Sequence, residues 1–224
     1  MSNLLTEILQ KARSVSERVY FEIALRVASE EKQFDLIWPL VDSVEGFLVS
    51  PWQERWLFET ARSVPDDTII VEIGSFKGRS TCCLGFGCRG TKKRLFAIDT
   101  FEGNEVDFQQ RHFFGEFSKN MNKCGLAACI TPIQGWSHEI AKSWTMPIHM
   151  LFIDGSHRYE DVLKDFFGFF PHVVPGGIVA VHDVVETWPG SLQAWHGDIK
   201  HHLSGVGYCS TLGYGTKPSL LENR

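Results

Sequence analysis

The chain lacks the features that would place it outside the soluble α/β proteins. Its six cysteines, at positions 82, 83, 88, 124, 129 and 209, form no C-x-x-C pair and show no zinc-finger spacing. Buried reduced thiols are expected rather than a metal knuckle or a disulfide framework. Basic residues are outnumbered by acidic ones, 22 against 27, and the net charge of −5 offers no footprint for nucleic acid. No run approaches the ~18 apolar residues of a membrane span. The first residues show no basic region leading into an apolar stretch, so no secretory leader is expected. Repeats and low-complexity tracts are absent as well. The expectation is a soluble, cytoplasmic protein.

What is present is ordinary globular usage, 43% apolar and 22% charged over 224 residues, enough for one full α/β domain and too little for two large ones. The organising stretch runs from Thr68 to Thr81. Thr68 to Ile73 is a short β-branched strand; Gly74 breaks it, Gly78 follows, and Ser80, Thr81, Cys82, Cys83 and Leu84 suit a helix. Strand, glycine turn and helix make a site where backbone N–H groups and a helix N-terminus face a small ligand. Gly74 permits an approach that a Cβ would block, and Gly78 lets the helix sit close to the strand. Glu72, at the strand's end, would repel a phosphate but not an ammonium or a sulfonium.

Residues 1–63 read as an N-terminal helical extension. Leu4, Leu5, Ile8, Leu9, Ala12 and Val15, then Val19, Ile23, Ala24 and Val27, recur at helical spacing. Trp38-Pro39 interrupts, Gly46 to Pro51 turns, and Trp52, Trp56, Leu57 and Ala61 suggest another helix. This extension could serve as a packed cap, a lid over the site or a homodimer surface, and the sequence leaves all three open. Residues 64–224 alternate strand and helix. The later strands are Arg94–Asp99, Ile130–Gln134, Ile148–Asp154 and Ile178–Val181, the last entered through a turn at Pro175-Gly176-Gly177. Helices are expected over Phe108–Leu126, Tyr159–Phe170 and Ser191–Leu203. In the second of these, Val162, Leu163, Phe166, Phe167 and Phe170 face inward, and Glu160 can pair with Lys164. Tyr208–Tyr214 and Pro218–Glu222 suggest a terminal hairpin. The pattern predicts a Rossmann-like, doubly wound, mostly parallel seven-stranded sheet with a C-terminal antiparallel hairpin.

Glu72, Asp99, Asp154 and Asp183 each fall at the carboxyl end of a predicted strand, the edge where open α/β sheets bind ligands. Gly85 to Gly90 matches G-x-G-x-x-G, but it follows a helix and leads into a strand, so it reads as a helix-ending loop. Gly74 to Thr81 is one residue too short for a phosphate loop and has Arg79 where the lysine belongs. What remains is E-x-G-x-x-x-G, with an acid, Asp99, closing the second strand. That combination suits a nucleoside cofactor without a pyrophosphate.

Taken together, VEIGSFKGRST (71–81), LFAIDTFEG (95–103), LFIDGSHRYEDVLKDF (151–166) and PGGIVAVHDV (175–184) resemble the class I S-adenosylmethionine-dependent methyltransferases. Within them the chain looks like the small-molecule O-methyltransferase branch that tailors sugars and antibiotics, some members of which need a metal. The resemblance covers about Gly46 to Glu222. It implies that residues 64–224 bind S-adenosylmethionine, with Gly74, Ser75 and Gly78 at the methionine portion and Glu72 near its ammonium. Ser80 and Thr81 would stand at the helix start. Asp99 would hold the ribose, with Thr100 and Phe101 beside the adenosine, and Gly135, Trp136 and Ser137 would meet the adenine. Many relatives carry an acid where Trp136 stands; indole stacking is a substitute.

The sulfonium methyl is already activated, so the protein must align the acceptor and help remove its proton. His157, three residues past the fourth strand, is the candidate base, with Asp154 and Asp183 beside the reacting groups and Asp154 also a candidate cofactor-binding carboxylate. Asp154, Asp183 and His182 could hold Mg²⁺ or another divalent ion, which would lower the acceptor hydroxyl's pKa. The remaining histidines show no convergent spacing. Methyl transfer to oxygen on a small molecule is the reading. The alternatives are a metal-dependent hydrolase or hydroxylase-like enzyme on the same fold, and a non-catalytic binding or assembly protein.

Overall fold

The computed structural model describes residues 19, 28, 30–46, 48, 50–103 and 112–219. It divides into two compact units, Met1–Asp42 and Ser43–Arg224. Apart from Val19, the helical pattern expected over positions 4–27 lies outside the described residues. In the first unit α1 spans Glu30–Asp42, with Phe34, Ile37 and Val41 buried at helical spacing. Trp38-Pro39 does not interrupt it. Pro39 lies inside the helix with its ring exposed, on the side where a missing N–H and a slight bend cost least.

The second unit begins well before the boundary expected at residue 64, because α2 (Pro51–Ser63) belongs to it. Proline at the first turn starts α2 without losing a hydrogen bond, and Leu57, Phe58 and Ala61 are buried. It packs against α3 (Arg79–Cys88) so closely that a Cβ on Gly87 would stand 2.7 Å from Ala61 Cβ. The helix therefore runs through Gly85 and Gly87 rather than ending there, and only Gly90 turns the chain.

The strands are β1 (Ile69–Ile73), β2 (Arg94–Asp99), β3 (Ile130–Gln134), β4 (Ile148–Ile153), β5 (Val173–Val181), β6 (Ser204–Cys209) and β7 (Leu212–Thr216). Their order is β3-β2-β1-β4-β5-β7-β6, parallel through β5 and antiparallel in β7 and β6. The doubly wound, mostly parallel seven-stranded sheet with a C-terminal hairpin is thus as expected. Every residue of β1 is buried, as both faces of a helix-covered parallel sheet require. One face, with Val71, Ile73, Leu151, Ile153, Val179 and Val181, packs under Phe166, Phe169, Ala194 and Trp195. These come from α6 (Tyr159–Phe169) and α7 (Pro189–Gly197).

Several boundaries differ from expectation. β5 starts at Val173, so Pro175-Gly176-Gly177 lies within it as a register shift rather than before it as a turn. α7 ends at Gly197, and a 3₁₀ turn, Ile199–His202, replaces its last part. The hairpin is β6 with β7, turning at Ser210, not Tyr208–Tyr214 with Pro218–Glu222; residues 217–219 are not strand, and 220–222 lie outside the described residues. α4 spans Phe114–Lys123, positions 104–111 being outside the described residues. Lys164 pairs with Asp161 at 3.0 Å rather than with Glu160. Phe167 is exposed, and Phe169 takes its place in the core. Among the described residues no helix is long and apolar enough to cross a membrane.

Candidate functional site

The sheet register builds the site. Ile73 lies level with Ile98 and Ile153, and Ile153 with Val181. The ladder continues one residue further, as Gly74 N donates to Ile98 O, Asp154 N to Ile73 O and His182 N to Ile153 O, at 2.8–2.9 Å. Asp99, Gly74, Asp154 and His182 therefore form a row across four adjacent strand ends. Glu72, two residues before Gly74, shares their face. The row spans the point where β1 has β2 on one side and β4 on the other, the crevice where open α/β sheets take ligands.

Gly74 is left-handed, at φ 87°, and a Cβ there would stand 2.1 Å from Asp154 O and 2.5 Å from Gly155 Cα. The close approach it permits is between the loops leaving β1 and β4. Gly78 faces Met121 and Phe117, not the strand, so it makes room for α4. Beneath the loop Glu72 is fully buried, its Oε2 accepting from Ser75 Oγ at 2.9 Å and Thr81 Oγ1 at 2.5 Å. Its Oε1 has no hydrogen-bond partner among the described residues. Burial pushes this carboxyl up to about 7, against the hydrogen bonds from Ser80, Thr81 and Ser75. Ser80 and Thr81 stand in the first turn of α3, as expected.

Asp99 organises the neighbouring loops. Its Oδ2 accepts from Ser75 N and Phe76 N, both at 2.7 Å, and its Oδ1 from Phe101 N at 2.6 Å. Phe76 and Phe101 are left-handed, at φ 46° and 56°, a conformation that costs a bulky residue about 1–3 kcal/mol. Asp99 holds both. Phe113 packs on Phe76 and Phe117 on Phe101, with ring centroids 4.6 and 5.1 Å apart. Thr100 follows Asp99 at the strand end. Gly135 continues the edge by donating its N–H to Asp99 O at 2.9 Å, and Trp136 beside it is 64% exposed.

Past β4, His157 Nε2 lies 2.8 Å from Asp183 Oδ2, and its ring stacks on Trp188 at 3.8 Å. His182 Nδ1 lies 3.0 Å from Asp154 Oδ1 and 3.3 Å from Asp183 Oδ2. Neither contact is aligned as a hydrogen bond, and among the described residues both buried ring nitrogens lack a hydrogen-bond partner. Burial pushes His182 down, but the two carboxylates outweigh it and lift the imidazole to about 10. Burial likewise raises Asp183, yet His157 and His182 hold it well below the usual carboxylate range. Two carboxylates and an orphaned imidazole, with donor atoms within 4.8 Å of one another, fit a divalent cation. All three expected metal-binding residues converge here.

A buried acid beside this edge escaped the sequence reading. Asp165, on α6, is 4% exposed and accepts a very short hydrogen bond from Ser137 Oγ at the start of α5 (Ser137–Ala141). Burial pushes its carboxyl up to about 7, with Ser137 holding it back. The signal was present: Val162, Asp165, Phe166 and Phe169 mark one helical stripe, and only one of the four is polar.

Comparison with known proteins agrees with this geometry. A family described as a methyltransferase domain matches residues 71–184, just over half of the chain. An uncharacterised protein of Acanthamoeba polyphaga mimivirus is 30% identical over 127 residues, 53% of this chain; the match spans about half, 52%, of that protein's length. Among solved structures, the O-methyltransferase NovP aligns with a TM-score of 0.65 at 15% identity, covering 90% of this chain and 99% of its own. The O-methyltransferase TomG of Streptomyces achromogenes, involved in tomaymycin synthesis and solved with S-adenosylmethionine, aligns with a TM-score of 0.61 at 19% identity, covering 91% and 96%. The chain shares their fold and belongs to the methyltransferase-domain family.

Proposed function

We propose that this chain moves the methyl group of S-adenosylmethionine to an oxygen of a small-molecule acceptor. The observation that carries the reading is the row of Asp99, Gly74, Asp154 and His182 across the β2-β1-β4-β5 edge. The NovP and TomG folds support it. Gly74, Ser75 and Gly78 would border the methionine portion, and the unpartnered oxygen of Glu72 would face its ammonium. An ionised carboxylate has about four acceptor positions. Asp99 spends three on backbone N–H groups, leaving one for a ribose hydroxyl. Thr100 and Phe101 would flank the adenosine, and exposed Trp136 would stack on the adenine.

His157, oriented by Asp183 and by its stack on Trp188, would accept the acceptor hydroxyl's proton as the oxygen attacks the sulfonium methyl. Asp154, His182 and Asp183 would hold a divalent ion. When bound, such an ion supplies Lewis acidity that lowers the acceptor hydroxyl's pKa. Calorimetry with S-adenosylhomocysteine tests the proposal: binding well below about 1 mM is expected. No binding at that concentration, beside tight metal binding, would favour the hydrolase-like alternative instead.

A further inference from the structure

Asp165 is the only buried acid on α6; Glu160 is exposed and Asp161 half-buried. Its Oδ1 receives the Ser137 hydroxyl. Its Oδ2 makes no hydrogen bond among the described residues and lies 3.5 Å from the position a Cβ on Gly155 would take. Gly155 in turn abuts Gly74. The carboxyl therefore sits behind the loops leaving β1, β3 and β4, beside the row of strand-end residues.

A hydroxyl has one proton to donate and two lone pairs that accept. Ser137 gives its proton to Asp165, so toward a ligand it offers lone pairs alone. Trp136, next to it, has only an indole N–H donor on its side chain, and its carbonyl already receives Glu139 N and Ile140 N. Resting on the nucleoside-cofactor reading above, we infer that Asp165 is a positioning residue that fixes Ser137 as an acceptor for the exocyclic amino group of the purine. The pair thereby selects a 6-amino purine over a 6-oxo purine, whose carbonyl oxygen would meet the serine lone pairs with no proton between them.

The test compares S-adenosylhomocysteine with its deaminated analogue, S-inosylhomocysteine, by calorimetry at about pH 8.5, where Asp165 is ionised. Wild-type protein should prefer the amino ligand about tenfold or more, the effect of one mismatched polar contact. Ser137→Ala should bring the two within about threefold, mainly by weakening the amino ligand. Asp165→Asn is isosteric and lets its NH₂ turn to Ser137, which frees the hydroxyl to donate. The ratio should then fall to about threefold or invert. If Asp165→Asn weakens both ligands alike and keeps the ratio, Asp165 is merely structural and the inference fails. An unchanged ratio in Ser137→Ala also overturns it, as does a wild-type protein that binds both ligands equally while the methyl-transfer reading stands. A wild-type protein that binds neither ligand instead removes the cofactor reading itself.

Discussion

His157 and Asp183 meet at 2.8 Å, with the imidazole of His157 lying flat on the indole of Trp188. A side chain held at one nitrogen by a carboxylate and across its face by a ring has few orientations left, which is what a proton-accepting imidazole needs. His157→Ala is expected to lower turnover by ~10²- to 10⁴-fold, the usual contribution of a positioned base. Affinity for S-adenosylhomocysteine should stay within about threefold, since the proposed role sets His157 against the acceptor rather than the cofactor. Steady-state kinetics beside calorimetry checks this, and undiminished turnover would remove His157 from the chemistry.

Gly74 meets Asp154 and Gly155 through backbone atoms alone. A methyl group there would sit 2.1 Å from Asp154 O in a residue already at φ 87°, and neither neighbour is a flexible side chain that could yield. Gly74→Ala should therefore destabilise the protein by about 3 kcal/mol or more, combining overpacking with left-handed strain. Urea denaturation measures it. A loss below about 1 kcal/mol would mean that the two loops part without cost.

Asp99 ties down Ser75, Phe76 and Phe101 at once. Asp99→Ala leaves three backbone N–H groups without their acceptor and two strained phenylalanines without their tether. Cofactor-product affinity should fall at least about tenfold, and stability by about 2 kcal/mol or more. Asp99→Asn, which keeps one acceptor oxygen, should recover part of the stability. Equal stability in the two variants would show that the carboxylate does not hold these loops.

The sheet was legible because its strands are short β-branched runs ending at acids and glycines, and a parallel sheet buried on both faces enforces that composition. The same punctuation located Glu72, Asp99, Asp154 and Asp183. Position along the chain did not reveal what each acid touches. Asp99 was expected to face a ribose, and its bonds to three backbone N–H groups depend on Phe76 and Phe101 taking left-handed conformations that no local propensity suggests. The start of the larger unit at Ser43 was missed because α2 docks through Gly87, a glycine that spacing alone made part of a helix-ending loop. Asp165 was missed because a single acid on an apolar stripe looks like an exposed residue at the stripe's edge until its serine partner on another element is known.

Asp154, His182 and Asp183 bring two carboxylates and an imidazole together without aligned hydrogen bonds between them. After treatment with chelator, addition of Mg²⁺ or Mn²⁺ should raise the melting temperature of the wild-type protein by several degrees, as binding to the native state alone requires. Asp154→Ala and His182→Ala should abolish that rise. A wild-type melting temperature indifferent to millimolar cation would show that the cluster is held by a proton on His182 and is no metal site.

Glu72 and Asp165 both have folded-state pKa values raised to about 7 by burial, above the 4.5 and 3.8 of the free groups. A raised carboxyl binds more protons folded than unfolded between those limits, so stability falls as pH rises through the window and levels off above it. Each group contributes at most about 1.4 kcal/mol per pH unit. The ligand-free protein should therefore be more stable near pH 5.5 than near pH 8, by about 2 kcal/mol or more. Glu72→Gln keeps an acceptor for Ser75 and Thr81 but cannot ionise, so it should remove about half of that slope while raising stability at pH 8. Denaturant titrations of both proteins across the range decide the matter. If stability climbs with pH between about 5 and 7, these carboxyls are ionised throughout and their burial is compensated by contacts other than the three hydroxyls near Glu72 and the one at Asp165.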